Sequence, residues 1–370
     1  MIFPIIAPLL ASLALATPNT VQDLDDYLRS EPRVFVAFTS RTLDSVQSFN
    51  NIYTQTSINT STLYVTVNCD IDIELCHHHD INTYPTLRLF ETDPGIDNTV
   101  PRMTRYRGPR TKRALRSFIK RRELPVLSHI SPNGFETFQN IDDIVIIASL
   151  PPNQESLITA FSTIAARHHL RYIFAYTTID AKTSVPTVTC YKNIDNDHRT
   201  LTGAFTEVDL ESFILTSAPS AIKPFREKDL ETFMQRDKLT CYIFLALDED
   251  DVIATTLRRE LTPLAKKYDK YITFASAELP KYAEMAGNFG VEVSKESEDG
   301  KGKGAPVLLI HAPMNDHVFY YQHGKTVSAD VVEGMLTRIL QGKAQNGQVF
   351  GQEAEDWESV AGEGIRHDEL

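Results

Sequence analysis

Three times along the chain a near-continuous apolar run is followed by an amphipathic stretch, a second apolar run, and then a proline that opens a third. In the first copy the runs are Val34-Phe35-Val36-Ala37-Phe38 and Leu63 to Val67, and Tyr84-Pro85 leads into Thr86-Leu87-Arg88-Leu89-Phe90. In the second they are Ile144 to Ala148 and Tyr172 to Tyr176, with Val185-Pro186 ahead of Thr187 to Tyr191. In the third they are Tyr242 to Leu247 and Tyr271 to Ala275, with Ala305-Pro306 ahead of Val307 to Ile310. Runs that are apolar at successive positions suit parallel strands buried on both faces, with a helix in each crossover. A proline at a strand's first position leaves the hydrogen-bond ladder intact. Each copy is therefore predicted to fold as helix, strand, long helix, strand, short helix, two further strands and a closing helix. The fold class is α/β, with a central mixed sheet flanked by helices in each of three tandem units.

A chain of 370 residues has room for several such units. Boundaries are expected at Leu124-Pro125 and in the Pro/Ser/Ala-rich stretch Ser217 to Lys223, giving domains over 17–124, 125–221 and 222–342. The last packed helix, Ala329 to Leu340, should stop at Gln341-Gly342, a C-cap signal. Residues 343–370, rich in Gly, Gln and Glu, read as an acidic linker and tail. Net charge is -12, yet ten Lys/Arg and no acid lie between Arg102 and Arg122. That segment is either a solvated basic helix face or the complement of an acidic partner or neighbouring domain. Nucleic acid is not an expected partner.

Both ends of the sequence address the chain to one compartment. Residues 1–16 combine an apolar run with Ala14 and Ala16 at signal-peptidase spacing. The run is too short to span a bilayer, so no membrane insertion is expected. His367-Asp368-Glu369-Leu370 is a retrieval signal read by the HDEL receptor, which predicts the endoplasmic reticulum lumen. In an oxidising lumen Cys69 and Cys76 are close enough to pair, and such a bridge is worth roughly 2–3 kcal/mol. Cys190 and Cys241 sit in strand-like runs and read as buried thiols. Asn59-Thr60-Ser61 is a glycosylation sequon.

Leu63 to Cys69, Glu74-Leu75-Cys76, Tyr84-Pro85-Thr86-Leu87 and Tyr106 to Arg110 resemble the first thioredoxin-like domain of a fungal protein disulfide isomerase. The resemblance extends over the whole mature chain, as an a-b-b′ arrangement of thioredoxin-like domains lacking the second catalytic domain. It implies a cis-proline loop at Tyr84-Pro85 and a structural disulfide between Cys69 and Cys76. It also implies a hydrophobic peptide-binding pocket in the third domain, assigned to Phe233, Phe244, Phe274, Met285, Phe289 and Ile310. An aromatic from the following linker, Phe350 or Trp357, is expected to cap that pocket when no client is bound.

The departures from the family set the functional expectation. Where the family has Trp-Cys-x-x-Cys, this chain has Leu43-Asp44-Ser45-Val46 within Thr42 to Val46, and no catalytic residue is assigned. Thiol–disulfide exchange needs a thiolate, which none of these supplies. The buried Glu of active members is Ala37 here, while the matching arginine, Arg110, is retained. The expectation is a redox-inactive lumenal protein that binds unfolded or partly folded secretory proteins, with no cofactor. The alternatives are a weak isomerase using Cys69 and Cys76, and a low-affinity calcium-binding protein. Calcium binding would rest on acidic excess alone, because no EF-hand spacing occurs. His77-His78-His79 is not assigned a metal, since adjacent helical residues diverge.

Overall fold

The computed structural model describes residues 21–57, 60–92, 100–152, 154–179, 185–245, 252–279, 281–291, 306–322 and 324–351. The expected signal segment, Asn59, Trp357 and the His367-Asp368-Glu369-Leu370 signal lie outside them. Among the described residues there are three sheets, one for each copy of the sequence pattern. By compactness the chain divides into two units, 1–191 with 200–212, and 192–199 with 213–370.

The first copy forms α1 (Val21–Ser30), β1 (Arg33–Thr39), α2 (Asp44–Thr56), β2 (Leu63–Asn68), α3 (Ile73–His78), β3 (Thr86–Glu91), β4 (Arg102–Arg105) and α4 (Lys112–Glu123). The strand order is β2-β1-β3-β4. β1 runs parallel to β2, from Val34 opposite Leu63 to Thr39 opposite Asn68, and antiparallel to β3, with Phe38 opposite Thr86. Alternation divides the apolar runs between two faces, as a strand requires. Phe35, Ala37, Tyr64, Leu87 and Leu89 bury against Phe49, Ile52 and Tyr53 of α2 and Leu115 and Ile119 of α4. Val34, Val36, Phe38, Val65 and Val67 bury against Leu24 and Leu28 of α1 and Leu75 and Cys76 of α3. Each fully buried Val, Leu or Phe contributes roughly 1.5–3 kcal/mol over its exposed state.

The second copy forms β5 (Ser128–His129), α5 (Phe135–Gln139), β6 (Ile144–Leu150), α6 (Glu155–His168), β7 (Ile173–Thr178), β8 (Thr187–Lys192), β9 (Asp197–Thr202) and α7 (Glu207–Ser217), in the order β5-β7-β6-β8-β9. The short helix expected before its proline falls largely on 180–184, outside the described residues. α4 faces an acidic neighbour here. Arg121 Nε donates to Asp142 Oδ2 at 2.7 Å, Ser117 Oγ donates to Asp142 Oδ1, and Arg113 Nε donates to Asp143 Oδ1 at 2.5 Å. For Arg113 and Arg121, the basic segment therefore complements an acidic neighbouring domain.

The third copy forms β10 (Ile222–Pro224), α8 (Leu230–Phe233), β11 (Leu239–Leu245), α9 (Val252–Lys267), β12 (Ile272–Glu278), α10 (Ala283–Asn288), β13 (Val307–Ala312), β14 (His317–Tyr321), α11 (Ala329–Leu340) and β15 (Val349–Phe350). Their order is β10-β12-β11-β13-β14-β15. β15 corrects the expectation that the chain is tail from 343 onward. After Gly342 (φ 68) the backbone turns again at Gly347 (φ 79). Val349 and Phe350 then pair in parallel with Tyr320 and Tyr321. One buried aromatic, Phe350, supplies the apolar burial that ties an otherwise hydrophilic segment to the sheet edge.

Candidate functional site

The strand ends of the first sheet bring three segments together. β1 and β2 end side by side, β3 begins opposite Phe38, and Arg105 ends β4 opposite Arg88. Loop 40–43, turn 69–72 and the Tyr84-Pro85 loop therefore share one end of the domain. Asp70 fastens the first two. Its carboxylate accepts from Ser40 Oγ at 2.8 Å, Arg41 N at 2.6 Å, Thr42 N at 3.1 Å and Thr42 Oγ1 at 3.4 Å. The Ser40 bond, with the backbone amides behind it, holds the Asp70 carboxyl below its ordinary pKa. Cys69 N adds a bond to Thr39 O at 2.8 Å.

At the entry to α2, Leu43 takes the N-cap position without a side-chain cap and is 43 % exposed. Asp44 and Ser45 open the helix, and Val46 is buried. None of the four carries sulfur, and Ala37 of β1 is wholly buried in apolar surroundings. Cys69 and Cys76 form the disulfide, with a Cα–Cα distance of 5.7 Å, and both are buried. Cys190 and Cys241 are buried thiols. Burial pushes the Cys241 thiol far above the usual thiol range, which opposes thiolate formation.

Tyr84-Pro85 is cis, whereas no other cis bond occurs among the described residues, Val185-Pro186 included. Arg110 Nη2 donates to Pro85 O at 3.1 Å, so this arginine binds the loop itself. Arg105 Nη2 donates to Thr83 Oγ1 at 3.2 Å. Ile71 and Ile73, 71 % and 59 % exposed, stand with Leu43 at this end as apolar side chains in solvent.

In the third domain the six residues assigned to one pocket divide between two faces of the sheet. Phe274 and Ile310 lie on the α9/α11 face, in the same cluster as Phe350. Phe233 and Phe244 lie on the α8/α10 face, where Met285 and Phe289 pack partly exposed. Phe233, Phe244, Phe274 and Ile310 are at most 1 % exposed and form core. The single-pocket assignment is thus corrected by strand alternation, which sends neighbouring positions to opposite sides. Phe350 is corrected with it. It is buried below the Arg338 guanidinium, 5.7 Å from its ring, on the face away from Phe289.

What remains of the candidate pocket is Met285 and Phe289 at the end of α10. The Phe289 ring lies 5.1 Å from Tyr242 and 5.1 Å from His311, and its carbonyl accepts from Tyr320 Oη at 2.6 Å. His311 and Asp70 were not found from sequence. The lone His in an apolar strand was the available signal for the first. The second had none, because its partners lie about thirty positions away. His79 packs its ring 5.6 Å from Phe38 and 6.0 Å from Phe90. Among the described residues no group of three His, Cys, Asp or Glu is placed to hold a metal ion. No helix among them is long and apolar enough to cross a membrane.

Comparison with known proteins accords with this geometry. Residues 153–296 match the family description of a thioredoxin-like domain. A protein disulfide-isomerase of Aspergillus niger is 23% identical over 286 residues, covering 76% of this chain and 52% of the relative. That of Humicola insolens is 22% identical over 350 residues, covering 91% of this chain and 66% of the relative. The chain thus spans between half and two thirds of the length of these relatives. Among solved structures, human ERp44 form II aligns over 89% of both chains at 16% identity, with a TM-score of 0.39. The fold and the matched domain define a protein of tandem thioredoxin-like domains. It resembles the fungal protein disulfide isomerase family, at 22% to 23% identity to these two relatives.

Proposed function

We propose that this chain is a redox-inactive member of that family, retained in the endoplasmic reticulum lumen, that binds unfolded or partly folded secretory proteins without a covalent step. The observation that carries this is the entry to α2. Leu43, Asp44, Ser45 and Val46 provide no nucleophilic sulfur there, while Leu43, Ile71 and Ile73 leave apolar surface at the same end of the sheet. The cysteine sulfurs of the described chain lie elsewhere, in a buried disulfide and two buried thiols, and exchange requires an accessible thiolate. Exposed apolar side chains beside a fixed loop gain burial energy from a client without demanding its sequence. Met285 and Phe289 in the third domain offer a second, smaller surface of the same kind.

Light scattering of a reduced, aggregating client tests this. The protein is expected to slow aggregation in proportion to its concentration, equally well after alkylation under denaturing and reducing conditions followed by refolding. Leu43→Glu, on the surface, should weaken that protection. Protection that vanishes on alkylation of a protein still folded by circular dichroism would return the function to Cys69 and Cys76.

A further inference from the structure

β3 and β4 place two arginines directly opposite each other, Arg88 against Arg105. Directly opposed residues of an antiparallel pair point to the same face, and like charges there are destabilising. Nearby cations are neutralised, since Arg102 and Arg122 share Glu91 at 3.0 and 2.6 Å. Arg88 and Arg105 have no such carboxylate within ion-pair distance among the described residues. Arg105 bonds the neutral Thr83 hydroxyl. Arg88 lies 5.8 Å from the Phe38 ring, with its Nε buried and unpartnered. Asp80, which follows α3, acts on Arg88 only at longer range, and burial together with Arg105 outweighs it. Two residues along the same face of β4 stands Met103, 47 % exposed and opposite the buried Phe90.

A repelling cation pair, an unsatisfied buried donor and an exposed apolar side chain thus converge at the edge of the sheet. One ligand chemistry answers the repulsion and the apolar exposure together. A carboxylate between the guanidiniums would relieve the repulsion and accept their N–H groups, while an adjacent apolar side chain covers Met103. We propose that Arg88, Arg105 and Met103 form a receptor for extended client segments in which an acidic residue stands beside an apolar one. The proposal rests on the client-binding function above and specifies the class of client.

Fluorescence anisotropy with two labelled peptides tests it, one repeating Leu-Ser-Glu-Ser and the other Leu-Ser-Gln-Ser, so that the acidic and apolar side chains fall two positions apart on one face of the extended chain. The wild type is expected to bind the glutamate peptide at least about tenfold more tightly, a difference of about 1.4 kcal/mol. That preference should shrink as salt rises from about 0.05 to 0.5 M. R105Q, on an exposed edge strand, should bind both peptides alike and show a thermal midpoint no lower than wild type, because it removes a repulsion. Equal binding of both peptides by the wild type, or a preference that survives in R105Q, overturns the receptor and leaves client binding standing. Binding of neither peptide overturns client binding and the receptor together.

Discussion

Asp70 and Glu123 show how single carboxylates hold the first domain. Asp70 ties the loop before α2 to the end of β2. Glu123 Oε1 accepts from the hydroxyls of Thr60, Ser61 and Thr62 and from the amides of Ser61 and Thr62. Burial acts to raise the pKa of Glu123, but these hydrogen bonds outweigh it and the net displacement is downward. Both carboxyls therefore bind protons less readily in the folded state. The stability they contribute is complete above their unfolded pKa values, about 3.9 and 4.3, and is lost as pH falls through the lower folded values. Asp142 has the opposite sign, because burial raises its pKa against the pull of Arg121. Its contribution is complete below its unfolded pKa and is lost as pH rises from there through the raised folded value. Thermal midpoints measured from about pH 2 to 6 should show a shallower acid limb in Asp70→Asn than in wild type. Hydrogen exchange should be faster at the Arg41 and Thr42 amides in that variant, and unchanged exchange there would remove Asp70 from its role.

At the scale of elements, α4 and β15 carry consequences that sequence could show only in part. The charge imbalance of 102–122 pointed to an acidic complement, and the choice of Asp142 and Asp143 needed the fold to bring them under α4. Asp142 is almost wholly buried and Arg121 is 21% exposed. Asp142→Ala leaves the buried Ser117 hydroxyl and Arg121 without their shared acceptor and should cost about 1–3 kcal/mol, read as a lower urea midpoint. β15 was unreadable, since two apolar residues among Gly, Gln and Asn give no periodicity. Phe350→Ala should cost about 3 kcal/mol as a core truncation, whereas the same change in a tail would cost nothing. A denaturation curve that superimposes on wild type would remove β15 from the third domain.

Across the whole molecule, the threefold architecture was legible because each copy repeats its apolar runs and its strand-opening proline in the same order. Cys69 with Cys76 was legible as a short-range pair, whereas the cis bond at Tyr84-Pro85 was legible only through the family resemblance, since Val185-Pro186 opens a strand in the same way without being cis. The third-domain pocket was not. Phe244 and Phe274 are equally apolar in sequence, and only the pairing of Cys241 with Phe274 on neighbouring strands shows that Phe274 faces away from Phe244. Function divides in the same way. The absence of sulfur at Leu43 to Val46 is visible in the sequence, whereas the exposed Ile71, Ile73 and opposed arginines emerge from the fold. The central claim, client binding without thiol chemistry, is tested most directly with an unfolded client that contains no cysteine. Equilibrium binding to that client should be saturable and equal to binding of its cysteine-bearing counterpart. Failure to bind the cysteine-free client, together with mixed disulfides formed by the cysteine-bearing one, would contradict the claim.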